Sequence, residues 1–169
     1  MDAPSLDLDA PGLDGLRIAR AVAADAPELL VLQRACWVAE ALANDRLDIP
    51  ALHETLDDVR DGIGGQQTWV VRDGPRLVGS VRGRVHGGAW EIGRLMVAPD
   101  LAGRGLGRFL LRWIEHHAPG DIRRLELFTG ARSTRNLRIY TGAGFVLDGE
   151  SDGVAHLSKA RESFPTGDG

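Results

Sequence analysis

The sequence predicts a mixed α/β domain, a sheet with helices packed on its faces, and three observations carry that prediction. The hydrophobic period switches repeatedly between about 3.6 and 2, giving the order β, α, α, β, β, β, α, β, α, β, β. Residues 90–114, WEIGRLMVAPDLAGRGLGRFLLRWI, read as a strand, a glycine-rich turn and an amphipathic helix in direct succession. A length of 169 residues with 43% apolar and 26% charged side chains suits one globular domain with a sizeable core.

Residues 1–14 hold four aspartates, two prolines and no basic side chain, the composition of a mobile acidic leader; the domain is expected over 15–162, followed by a loose tail at 163–169. Residues 16–22 read as the first strand. Asp25 followed three residues later by Glu28 reads as a helix start, and Leu29, Leu32, Cys36 and Ala39 continue one face. After a polar connection at 44–48, Asp48 and Pro50 open a second helix whose Leu52, Leu56, Val59 and Ile63 step by helical spacing up to Gly64 and Gly65.

From Gln67 the period becomes 2. Residues 68–72 and 77–86 are strands about the turn signal Asp73-Gly74, and 89–97 is a third, with Gly93 hinting at a bulge. In 77–86, Leu77, Gly79, Val81, Gly83 and Val85 share one face; the other, with Ser80, Arg82, Arg84 and His86, is expected to be mostly wet. Leu106, Phe109, Leu110, Trp113 and Ile114 form one apolar helical stripe. Residues 124–129 read as a strand, 133–141 as a helix, and 145–150 with 154–158 as a terminal antiparallel pair. There is no internal repeat.

The net charge of −4 argues against a non-specific nucleic-acid binder, although the cluster Arg123, Arg124, Arg132, Arg135 and Arg138 leaves room for a compact anionic ligand. No apolar run approaches 18 residues, and the acidic start lacks the features of a signal peptide, so a cytoplasmic protein with no membrane partner is expected. The single cysteine, Cys36, excludes an internal disulfide and reads as a core thiol. The five histidines are isolated or end a helix, and no metal is expected.

Gly103, Gly105 and Gly107 alternate with Arg104, Leu106 and Arg108, so the backbone can approach a ligand closely. Their amides lead into a helix N-terminus, which adds unpaired N–H groups and the positive end of a dipole; phosphate is the natural guest. The dinucleotide fingerprint fails, because the sixth position from Gly103 is Arg108 and from Gly105 is Leu110. A phosphate loop ending in Gly-Lys-Ser/Thr fails too, since Arg108 and Phe109 follow Gly107.

These residues resemble the GNAT superfamily of acyl-CoA-dependent N-acyltransferases. The family's pyrophosphate loop, Q/R-x-x-G-x-G/A after a strand ending Val-x-Pro, is similar to Val97, Ala98, Pro99 and then Ala102, Gly103, Arg104, Gly105, Leu106, Gly107; Ala102 stands where the family usually has Gln or Arg. A second block resembles residues 133–145, STRNLRIYTGAGF, with Ser133 where many members have Asn. The resemblance implies an α/β (α+β) GNAT-like fold: a mixed, mostly antiparallel sheet of six to seven strands, about four helices, and a central splayed strand pair. It also implies acetyl-CoA as acyl donor, lying between the strands around 95–97 and 125–129. Leu95, Met96 and Val97 would border the pantetheine arm and Asn136 would contact it. The amides of Ala102, Gly103, Arg104, Gly105, Leu106, Gly107 and Arg108 would hold the phosphates. Arg104 and Arg108 would add charge, or else form only a solvated basic turn.

Acyl transfer to an amine needs a neutral nucleophile, a polarised carbonyl and a stabilised thiolate. An amine with a pKa of about 10.4 is neutral only about once in 2,500 at pH 7, a handicap of roughly 4.6 kcal/mol that a base helps remove. Glu91 matches the family's glutamate base by its offset from Ala102; pairing with Arg84 or Arg94 is the alternative. An amide near Val97 is the implied carbonyl donor. Tyr140, four residues after Asn136 and the only tyrosine, is the thiolate's proton donor or else a core residue behind Phe145.

The acceptor is expected to be a primary amine on a small molecule, attacked directly in a ternary complex by a monomer or homodimer. Trp37, Glu40 and Arg82 are its candidate contacts. The acids Glu40, Asp45, Asp48 and Glu54 favour a cationic amine, and Arg82 and Arg84 favour a carboxylate on the same molecule. A protein or peptide acceptor, or a non-catalytic acyl-CoA-binding module, is the alternative.

Overall fold

In the computed structural model, which describes residues 4–161, the stretches of period 2 assemble into one eight-stranded sheet. The strands are β1 (Leu6–Asp7), β2 (Leu16–Arg20), β3 (Gln67–Asp73), β4 (Arg76–His86), β5 (Ala89–Val97), β6 (Arg124–Gly130), β7 (Val146–Ser151) and β8 (Val154–Ala160), in the order β1-β2-β3-β4-β5-β6-β8-β7. The neighbours are antiparallel except β5 and β6. Five helices flank the sheet: α1 (Ala26–Asn44), α2 (Pro50–His53), α3 (Leu56–Gly65), α4 (Leu106–His116) and α5 (Thr134–Gly142).

The parallel pair opens the molecule. β5 and β6 are in register only at Trp90 with Leu125, Glu91 with Glu126 and Ile92 with Leu127, and then part. On the other edge of β5, Ser80 faces Met96 and Arg82 faces Gly93, so Val81 lies opposite two residues, Arg94 and Leu95. The bulge lies immediately after Gly93, and Arg94 takes φ 48° to form it. An extra residue bends β5 away from β6 and leaves a gap in the sheet.

α4 covers one face of β4 and β5. Its stripe lies so close to β4 that a Cβ on Gly79 would sit 3.2 Å from Leu106 and one on Gly83 only 2.2 Å from the buried Trp90 ring. The glycines of that face are therefore packing positions, and Trp90 Nε1 donates to Ile114 O at 3.0 Å. The opposite face carries α1 and α3. It is drier than its composition predicts: Val78 and Ser80 are buried and Arg82 is mostly covered.

Three other expectations change. Residues 6–14 are not a loose leader, since Leu6–Asp7 pairs with β2 and Leu8 and Leu13 are buried in the core; the aspartates between them face outward, which composition alone could not separate. The second helix is two, because Thr55 interrupts it and starts α3 as a capping box with Asp58. Asp25 precedes α1 as expected, but its carboxylate accepts from Val22 N and Arg72 instead of capping the helix. The tail at 163–169 lies outside the described residues. Among the described residues no helix is long and apolar enough to cross a membrane.

Candidate active site

The gap between β5 and β6 is a cleft of about 1790 Å³, lined by the glycine-rich turn, the bulged end of β5, the start of α5 and the inner faces of α1–α3. Pockets that take one drug-sized ligand measure roughly 300–1,000 Å³, so this cleft is larger than one such ligand needs.

At one end, Gly103 and Gly105 adopt φ 86° and 92°, a region side chains rarely enter. Gly105 is the N-cap of α4 in that left-handed conformation, and no side chain caps the helix. Its first-turn N–H groups are left for an external acceptor, which is the arrangement an anion requires. Gly107 seats this turn against Leu95 and Val97, whose side chains a Cβ there would meet at 3.8 Å. Arg108, Arg132, Arg135 and Arg138 also line the cleft. Arg104 does not: its guanidinium turns out of the cleft and donates to Gly12 O at 2.9 Å, tying the turn to the N-terminal segment. Arg123 and Arg124 are likewise elsewhere, the latter paired with Glu126 and Asp148.

Along β5, Ala98 N donates to Val78 O at 2.8 Å. Amide directions alternate along a strand, so the Val97 N–H faces the gap. Met96 belongs to the core at 3% exposed. Cys36 donates to Val97 O at 3.2 Å; burial pushes its thiol up to about 11, which keeps it protonated and unreactive at neutral pH.

The opposite wall is held by two polar residues of α1, one turn apart. Glu40 Oε1 accepts from Gly130 N at 2.9 Å and Thr129 Oγ1 at 3.2 Å, and its Oε2 from Asn136 Nδ2 at 3.1 Å. Asn44 donates to Ser133 Oγ and accepts from Arg132 N, so closely that a Cβ on Gly130 would overlap it. Glu40, named from the sequence as a candidate acceptor contact, lines the cleft and fastens the turn from β6 to α5. Asn136 keeps its Oδ1 for the cleft. Tyr140 packs edge-on to Phe145 with centroids 6.4 Å apart and lines the cleft. Burial and then the charge of Glu40 push its hydroxyl up to about 12. Tyr140 is thus a core residue, 9% exposed, that also borders the cleft.

The remaining side is built of charged groups. Glu91 and Arg84 are cross-strand partners, and both contacts, 2.9 Å from Nε and 2.7 Å from Nη2, end on Glu91 Oε1. Arg94 projects from the bulge over Trp37 and donates to Glu54 Oε1 at 2.5 Å. Glu54 Oε2 accepts from Gln33 at 2.7 Å, and Arg82 stands 3.6 Å from Oε1. Desolvation, then Arg94, acts against the charge on Arg82, while opposing hydrogen bonds and cations hold Glu54 below the usual carboxylate range despite burial. The sequence pointed to Trp37, Arg82 and Glu54 on this side but not to Gln33, nor to Asn44 on the opposite wall, and Arg94, named only as a possible partner of Glu91, is paired with Glu54 instead. Their signal is a buried polar position on a helix or bulge, and that is visible only once the partner element is known.

Residues 28–145 match the acetyltransferase (GNAT) family. The chain is 29% identical over 120 residues to the UPF0157 protein YqkA of Bacillus subtilis, covering 71% of this chain and 34% of that protein, so it spans about a third of the length of the curated relative it matches. The GNAT domain of S. lividans PAT superposes with a TM-score of 0.76 at 18% identity, covering 93% of this chain and 97% of that one. The PaiA N-acetyltransferase of Thermoplasma acidophilum, solved in complex with coenzyme A, superposes with a TM-score of 0.73 at 13% identity, covering 86% and 99%. At such identities the superpositions speak for the fold, and the match over 28–145 speaks for the ancestry. The chain belongs to the acetyltransferase (GNAT) family and has that family's acyltransferase fold.

Proposed function

We propose that the protein transfers an acetyl group from acetyl-CoA to a primary amine on a small molecule, by direct attack in a ternary complex. One observation carries this reading: one large cleft has uncapped helix amides at one end and the Tyr140 hydroxyl in its wall, with no hydrogen bond from that hydroxyl among the described residues. The donor's pyrophosphate would rest on the amides of residues 103–108, its pantetheine arm would pass Val97 and Asn136, and the carbonyl would accept from the Val97 N–H.

The neutral amine attacks the thioester carbonyl, forming the C–N bond; the C–S bond then breaks and the sulfur leaves with the electron pair. The amine is made neutral by Glu91, which takes the ammonium proton through Oε2, directly or by water, since Arg84 occupies only Oε1, and the proton the nitrogen loses on becoming an amide goes to the departing sulfur. Tyr140 donates a hydrogen bond to the departing sulfur. With its pKa about 12 against about 8.5 for a thiol, full transfer is uphill by roughly 5 kcal/mol. The hydroxyl therefore stabilises the thiolate by sharing its proton.

Thiol release from acetyl-CoA in the presence of a panel of small primary amines tests this reading. Amine-dependent release with a matching N-acetyl product supports it. Acetyl-CoA binding with no release from any amine would reduce the protein to a binding module, and release with peptides alone would move the acceptor to a protein.

A further inference from the structure

On the floor of the cleft beneath α1 and α3 stand three guanidiniums, Arg82, Arg84 and Arg94, with the carboxylates Glu54 and Glu91 among them and Asp48, Asp58 and Asp61 on the α2–α3 side. Arg84 and Glu91 satisfy each other. Arg94 holds Glu54 Oε1, and Gln33 holds Oε2. Arg82 is left over. Its contact to Glu54 is long, with Nη2 3.6 Å from an oxygen that Arg94 already holds at 2.5 Å, so Arg82 has only a weak share of one carboxylate. Its side chain is only 17% exposed, so water compensates it poorly. Of the other acids that line the cleft, Asp58 is turned back onto Thr55, Asp48 stands beside His53, and Asp61 is solvent-exposed at the rim, and among the described residues none of them pairs with Arg82.

A largely desolvated cation beside a like charge, with half a counter-ion, is relieved by an incoming anion. The planar fork of a guanidinium matches a carboxylate with two parallel hydrogen bonds. The fork is also held in place. α3 approaches through Gly62, where a Cβ would fall 2.5 Å from Arg82 Nη1, so glycine is what allows the guanidinium to lie there.

We propose that Arg82, seated against Gly62, anchors a carboxylate of the acceptor, so that the acceptor is a compact amino acid bearing both the reacting amine and an acid group. This rests on the transferase reading above and narrows it.

The test is thiol release at saturating acetyl-CoA with L-amino acids, each paired with its own carboxamide, alongside simple amines lacking an acid group. The best amino acid should exceed its carboxamide by about 10- to 100-fold in kcat/KM, the worth of a charge-assisted pair. Arg82→Gln should abolish most of that preference, mainly through KM, while acetyl-CoA affinity in calorimetry stays within about twofold. Arg82→Lys should restore part of it, and Gly62→Ala, which displaces the guanidinium without removing it, should fall between. Should Arg82→Gln fail to fold, the wild-type acid-to-amide ratio and Gly62→Ala still decide. Equal use of acid and amide, an unchanged preference in Arg82→Gln, or release from simple amines alone would overturn this inference and leave the transferase standing. No release from any amine, with acetyl-CoA bound, would overturn both.

Discussion

The end of the cleft proposed for the donor, at residues 102–108, presents backbone, whereas the side proposed for the acceptor, under α1 and α3, presents charged side chains drawn from α1, β4, β5 and the turn between α2 and α3. Backbone recognition is built from neighbours in the chain: two left-handed glycines and a helix start suffice to aim a set of amides. Side-chain recognition here needs groups as far apart as Gln33, Glu54, Arg82 and Arg94, each fixed by the others. The donor end should therefore tolerate loss of its side chains but not of its backbone geometry, and the acceptor side should show the reverse.

Tyr140, at the seam, should give the largest effect. Tyr140→Phe keeps the ring against Phe145 and removes only the hydroxyl, so turnover should fall by about 100-fold with little change in acetyl-CoA affinity. Turnover equal to wild type with a confirmed acceptor would leave the tyrosine a packing residue. The same substitution has a signature in alkaline stability. An unfolded tyrosine ionises near pH 10, and the folded one is pushed up to about 12. As pH rises between these values the unfolded chain loses its proton first, so the stabilisation present below pH 10 declines by about 1.4 kcal/mol per pH unit. Urea melts of Tyr140→Phe should lack that decline.

Gly105→Glu should weaken acetyl-CoA binding in calorimetry more than about tenfold, or about 1.4 kcal/mol, because it places a strained residue at φ 92° and a negative charge where phosphate would sit. Undiminished affinity would remove the phosphate site from this turn. Glu91→Gln should cost about tenfold in turnover at pH 6 and progressively less toward pH 10, where more of the acceptor amine is already neutral; a pH-independent loss would exclude Glu91 as the base. The smallest effect belongs to Arg104→Ala. Its guanidinium is on Gly12 O, so acetyl-CoA affinity should change less than about threefold and stability by about 1 kcal/mol. A tenfold loss of affinity would mean that the side chain swings in to meet the phosphates, and the contrast between the two ends would weaken.

Much of this architecture was legible because it is local. Residues 89–97 form β5 with the expected bounds, the stripe from Leu106 to Ile114 is α4, and Gly93 adjoins the bulge. Each depends on a period or a turn residue acting within a few positions. Less was legible where a residue type has two uses. Asp25 looks like a cap and is an ion-pair partner of Arg72; Glu40 reads from the sequence only as a candidate substrate contact and is also a clasp on the turn from β6 to α5. Both are carboxylates on or beside one helix, and the groups they meet lie 47 and at least 89 residues further along the chain.

By itself, then, the sequence determined the alternation of elements, the anion-ready turn, and the presence of Tyr140 and Asn136 one helical turn apart, since period, glycine placement and spacing act through the adjacent backbone. Only the tertiary structure decided that β5 and β6 part after Ile92, that Arg104 leaves the cleft for Gly12, and which carboxylates are already held by protein groups. That last decision leaves Arg82 with only a long, shared contact to Glu54, because the strength of a charge in a cleft depends on its neighbours and its access to water, and both are set by how distant segments pack.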